Sequence, residues 1–174
     1  MNLSKISPIA LALAVALAAA GALAPAHAAD NMDFQVLINI DESCDVVSTD
    51  DVDFSTNAAT PGTVSADGQV VVQCTRNAPY NVRLDGGQHS SNNINARKMQ
   101  HSNGIDTIAY QLFQSAGGAV WGQTDGTDTV TGTGTGFGTG APYDQVHTVH
   151  AQATLVGTEL AGAYADTVKA TVTF

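Results

Sequence analysis

The sequence predicts an all-β fold, a single antiparallel sandwich, and three observations carry that expectation. Apolar and polar residues alternate with period two through most of the chain after Asp30, the pattern of strands with one buried face. Pairs of Gly, Asp and Asn suited to tight turns divide the alternating runs. No stretch after Asp30 has the apolar spacing of a helix. A length of 174 residues allows one domain, and short strands split by turns indicate a sandwich rather than a parallel sheet.

Charge narrows the partners. Sixteen Asp and Glu against 6 Lys and Arg give a formal charge of −10. Neutralising phosphates needs clustered Lys and Arg, so no nucleic-acid partner is expected. A polybasic membrane-surface segment is missing for the same reason. With 13% charged and 44% hydrophobic residues, the composition is not that of a disordered chain.

Residues 1–28 read as a leader. Lys5 is the only charge before Asp30, residues 6–23 form an apolar run rich in Ala and Leu, and Ala26-His27-Ala28 follows Pro25. That small-x-small site predicts signal-peptide cleavage after Ala28, with Ala29 the alternative. A retained membrane helix is the competing reading. It is disfavoured because the run is weakly hydrophobic and no basic stop-transfer segment follows. The mature form is therefore expected to carry no membrane anchor and to enter an oxidising compartment. There the only two cysteines, Cys44 and Cys74, are expected to form one disulfide.

The strand candidates follow in order. Phe34, Val36, Ile38 and Ile40 share one face of an N-terminal segment covering residues 29–41. Residues 42–174 form the domain proper. Within it Val70, Val72 and Cys74 alternate with Val71, Gln73 and Thr75, after a turn expected at Asp67-Gly68. Tyr80, Val82 and Leu84 make the next run, closed by Asp85-Gly86-Gly87. Asn103-Gly104 introduces Ile108, Tyr110 and Leu112. Val149, Ala151, Ala153 and Leu155 form another run, and Val168, Ala170, Val172 and Phe174 close the chain. Two stretches resist the pattern. Residues 88–102, which include Arg97-Lys98, predict a polar loop or weak edge. Residues 122–140, almost all Gly, Thr and Asp, predict a flexible exposed loop or a strand edge thinned by glycine.

Catalytic and metal chemistry is thinly represented. His147 and His150 would share a face on a helix, but on a strand residues three apart face opposite ways, so one ion cannot take both. His89 and His101 have no Cys or paired carboxylate at ligand spacing. The alternate glycines fail the G-x-G-x-x-G pattern at Phe137, and the Asp residues lack calcium-loop spacing. There is no G-x-S-x-G elbow, and Ser43-Cys44 has no nearby His relay. The carboxylate run Asp50-Asp51-Val52-Asp53 reads as a solvated strand end. Neither a cofactor nor an enzymatic activity is expected.

Both ends of the mature chain are strand-like, and a strongly apolar terminal segment needs a partner. That partner is either the chain's own sandwich or the open sheet of another subunit. The alternation leaves both open. The chain resembles the spore coat protein U domain family, which includes the Csu-type major pilins of archaic chaperone–usher pili. The resemblance rests on Ile38-Asn39-Ile40 before Cys44, on Val70-Val71-Val72-Gln73-Cys74-Thr75, and on the block from Ala78-Pro79-Tyr80 to Asp85-Gly86-Gly87 followed by Arg97-Lys98-Met99. Ile108-Ala109-Tyr110-Gln111-Leu112-Phe113, then Trp121-Gly122, and the ending from Gly162-Ala163-Tyr164 to Val172-Thr173-Phe174 complete it.

This resemblance implies an incomplete immunoglobulin-like antiparallel sandwich, completed by donor-strand exchange. Phe34, Val36, Ile38 and Ile40 would be donor side chains. Val168, Ala170, Val172 and Phe174 would border the acceptor groove and pair with a periplasmic chaperone. An outer-membrane usher would then exchange the chaperone for the next copy of the chain, giving a linear surface fibre for adhesion and biofilm formation. The route implied runs through the periplasm to the cell surface. Other readings are a tip adhesin or secreted module that binds a surface or glycan, a spore or outer-layer coat protein, and, least supported, a secreted hydrolase.

Overall fold

The computed structural model describes residues 30–54 and 60–174; the leader and its cleavage site lie outside the described residues. The chain divides into two units, residues 1–38 and 39–174. In the first unit the described residues carry no strand, and their side chains are exposed. The expected strand over residues 34–40 does not form, because residues 30–43 enter no strand ladder. Alternation prepares a strand, but a ladder needs a second chain segment to accept and donate its backbone hydrogen bonds.

The second unit is built from nine strands and no helix among the described residues. They are β1 Cys44–Asp50, β2 Gly62–Cys74, β3 Pro79–Leu84, β4 Lys98–His101, β5 Thr107–Phe113, β6 Val130–Thr133, β7 Gln145–Leu155, β8 Tyr164–Ala165 and β9 Ala170–Thr173. One sheet runs β1-β2-β7-β5-β4-β8, the other β6-β3-β9. Every strand pairing is antiparallel. The inward face of each alternating run supplies the core: Val70, Val72 and Cys74 from β2, Tyr80, Val82 and Leu84 from β3, Tyr110 and Leu112 from β5, and Val149, Ala151 and Ala153 from β7. Trp121 is fully buried among them and donates its indole N–H to the Val82 carbonyl at 2.7 Å.

Cys44 and Cys74 are bonded and stand opposite each other at the β1–β2 register. The turn expected at Asp67-Gly68 is absent, since both residues lie inside β2, paired with His150 and Val149. Gly68 is required there for a packing reason. A Cβ on it would meet the Asp50 carbonyl at 2.7 Å and Val52 Cγ2 at 2.8 Å, so glycine lets the chain leaving β1 cross over β2.

Of the two readings of the Gly/Thr stretch, the strand edge thinned by glycine forms over residues 130–133. This strand, β6, pairs with β3, Gly132 lies against the Tyr80 ring, and Gly134 packs on the Cys74 and Thr75 carbonyls. Gly134 exchanges backbone hydrogen bonds with residues 77 and 78. These glycines are sites of close approach, where any side chain would collide.

Candidate functional site

The two sheets leave an unfilled edge. β1 ends one sheet and β9 ends the other, and the two approach each other across the sandwich. Beside them a groove of about 490 Å³ opens between residues 49–54 on one wall and residues 164–170 on the other. Its floor is core: Leu84, Met99, Leu112 and Val149, with Val52, Phe54 and Val168 on the flanks. Asp50, Asp51 and Asp166 add carboxylates to the walls.

Of the C-terminal run, Val168 and Ala170 line the groove, and its lining includes neither Val172 nor Phe174. The strand of this run is shorter than the alternation suggests, since β9 covers Ala170–Thr173. Val82 pairs with Val172 and Leu84 with Ala170, and Val168, Ala170 and Val172 pack partly buried against the core. Phe174 lies beyond β9 and is 59% exposed. The expected donor side chains are more exposed still: Phe34 85%, Val36 85%, Ile38 88% and Ile40 74%.

Between β8 and β9 the chain passes from the large sheet to the small one, and a polar cluster holds that crossing. β8 pairs with β4, whereas β9 pairs with β3. The Asp166 carboxylate accepts the Tyr110 hydroxyl at 2.6 Å and the Gln88 N–H at 2.9 Å. The Asp85 carboxylate accepts the N–H groups of Gly87 and Lys169, each at 2.9 Å. A side chain on Gly87 would strike the Asp166 carboxylate, and its φ of 79° suits glycine. Burial first, and then the bond to Asp166, raise the Tyr110 phenol well above its ordinary value, so it stays a donor.

Arg97 organises the layer beneath. It is 1% exposed and donates to the carbonyls of Leu84 (2.9 Å), Asp85 (2.7 Å) and Trp121 (2.8 Å), and to Gln111 Oε1 (2.9 Å). Burial lowers its proton affinity below the ordinary guanidinium value, while Tyr110 and the carboxylates of Asp85 and Asp166 pull the other way. The sequence pattern places Arg97 in a polar loop or weak edge beside Lys98. Nothing local marks it as buried, since its acceptors come from residues 84, 85, 111 and 121.

His147 and His150 point to opposite faces of β7. His147 turns inward, with Nε2 at 3.0 Å from the Tyr80 hydroxyl. His150 pairs with Asp67 at 2.8 Å on the outer face. Two stacked antiparallel sheets with a strand position open between their edges define the class: an incomplete immunoglobulin-like sandwich.

The sequence matches the Spore Coat Protein U domain over residues 30–171. The chain belongs to that family. Among solved structures it is similar to the CsuC–CsuE chaperone–tip adhesion subunit pre-assembly complex of archaic chaperone–usher Csu pili from Acinetobacter baumannii. That similarity has a TM-score of 0.50 and 22% identity, covering 78% of this chain and 40% of that one. A chaperone–tip adhesin complex of CFA/I fimbriae biogenesis gives a TM-score of 0.39 and 14% identity, covering 80% of this chain and 40% of that one. The chain thus spans 40% of the length of the matched chain in each of these structures. No curated protein matches it.

Proposed function

We propose that the protein is a structural subunit of a surface fibre, exported through the periplasm and assembled by the chaperone–usher route through donor-strand exchange. The observation that carries this reading is a complementarity within one chain. The sandwich has an unfilled edge over its core, and the N-terminal segment presents Phe34, Val36, Ile38 and Ile40 exposed and in alternation. Burying one such side chain contributes about 1.5–3 kcal/mol. Four of them in the groove of a second copy outweigh much of the cost of ordering the segment. Before assembly an open edge is an aggregation hazard, which is the physical need a periplasmic chaperone meets. An outer-membrane usher then catalyses the exchange. Family membership supports the same reading, and adhesion and biofilm formation are the roles such a fibre serves.

The test is to shear surface material from producing cells and compare unheated and boiled samples on a denaturing gel. A ladder that collapses to monomer on boiling is the expected result. Ile38→Asp with Ile40→Asp should abolish the ladder while chaperone-bound monomer persists. An intact ladder from that double variant overturns the donor assignment. Abundance in the sheared fibre separates a shaft subunit from a tip subunit.

A further inference from the structure

We propose that Thr75 is the positioning residue that directs the N-terminal segment to a second copy of the chain and denies it the groove of its own domain. The proposal rests on the donor-strand reading above and adds the device that selects between the two destinations.

The groove adjoins β1, so the segment preceding β1 has a short route into its own domain: a hairpin turn at residues 41–43 that doubles the chain back beside β1. Local sequence does not forbid it. Asp41-Glu42-Ser43 has turn-competent residues, and hairpin loops of two to five residues are the usual length. The obstacle is Thr75, the residue after the disulfide. Its N–H donates to the Ser43 carbonyl at 2.8 Å. Its hydroxyl accepts the Ser43 N–H at 3.0 Å and has the Asp41 and Ser43 carbonyls at 3.3 and 3.4 Å as acceptors for its own proton. These bonds prolong the β1–β2 pairing past Cys44 and keep residues 41–43 in line with β1.

The clamp is itself fixed. Cys74 is bonded to Cys44, its carbonyl accepts the Gly136 N–H at 2.9 Å, and the Thr75 carbonyl accepts the Ala78 N–H at 2.9 Å. A hairpin at residues 41–43 would draw Asp41 and Ser43 away from the Thr75 hydroxyl and exchange its contacts with them for water. The groove of another copy can be filled without disturbing any of these bonds.

The experiment uses the full mature chain with its disulfide intact, unfolded in guanidinium and refolded by dilution. Monomer and polymer are separated by size, and chymotrypsin cleavage at Phe34 and Leu37 reports whether the segment is seated. Wild-type monomer should be clipped rapidly and wild-type polymer protected. Thr75→Val keeps the backbone bond and loses the hydroxyl, so its monomer should be clipped at least tenfold more slowly, with less polymer. Thr75→Ser restores the wild-type pattern, which a loss of stability alone would not explain. Thr75→Ala gives the same comparison if the valine methyls prevent refolding. Equal clipping of wild-type and hydroxyl-free monomers overturns the clamp. Wild-type polymer clipped as fast as monomer overturns instead the donor reading beneath it.

Discussion

Replacing Arg97 by Met tests the buried polar layer between residues 84–85, 111 and 121 most directly. Methionine matches the length of the arginine stem and supplies no donor, so the carbonyls of Leu84, Asp85 and Trp121 and the Gln111 side-chain oxygen each lose a hydrogen bond. An orphaned buried acceptor costs about 1–3 kcal/mol, and removing one partner from a buried charge cluster costs about 3–5 kcal/mol. The acceptors can recover part of the loss through relaxation, so about 4 kcal/mol is expected. Against a total stability of about 5–15 kcal/mol for a domain, this is a severe lesion. The chain has one tryptophan, Trp121, and it is fully buried, so its fluorescence follows unfolding of this layer. With a guanidinium dependence of about 4 kcal/mol per molar, the midpoint should fall by about 1 M. Arg97→Lys, which keeps the charge but cannot span all four acceptors, should fall by about half as much. A midpoint for Arg97→Met within about 0.2 M of wild type, at unchanged slope, would refute the assignment of Arg97 as the organising residue.

Two further outcomes follow from the same geometry. Replacing Cys44 and Cys74 together by Ser opens a loop with a sequence separation of 30. On the chain-entropy relation the variant should lose about 3.5 kcal/mol in a denaturant titration, and a reductant should move the wild type to the same midpoint. Burial holds the His147 imidazole below its ordinary value of 6.5. The folded state therefore resists a proton that the unfolded state accepts. This contribution is intact above pH 6.5 and is lost as the pH falls below it. Urea titrations from pH 8 to 5 should show this slope, and His147→Gln should flatten it.

Much of the sandwich is legible in the sequence because a strand with one buried face writes its own period. Val70, Val72 and Cys74, or Val149, Ala151 and Ala153, occupy the faces the alternation assigns them. Asp67-Gly68 misleads, because the same dipeptide that closes a hairpin also suits a strand crossed closely by another chain segment. Here the Asp50 carbonyl and Val52 lie over Gly68. Gly132 lies in the edge strand β6, one of the two readings the Gly/Thr stretch allowed, and its contact with the Tyr80 ring is what the pattern alone does not show. A missing side chain signals freedom or crowding, and only the neighbour that fills the space distinguishes the two.

The crossing between the sheets is illegible for a different reason. Asp166 bonds to Gln88 across 78 residues of sequence and to Tyr110 across 56, so no window of local pattern contains both partners. Residues 34–40 show the converse limit. Their alternation states that one face must be buried, and it would read identically for burial at home or in a neighbour, since both destinations offer the same apolar floor. Hydrophobicity cannot choose between two copies of one groove. The choice has to be made by geometry at the root of the segment, where the Thr75 hydroxyl holds residues 41–43 away from the turn that would lead home. A term of about 1 kcal/mol per hydrogen bond is small beside the burial it directs. It acts on the choice of destination and not on the burial itself, which both copies of the groove offer alike.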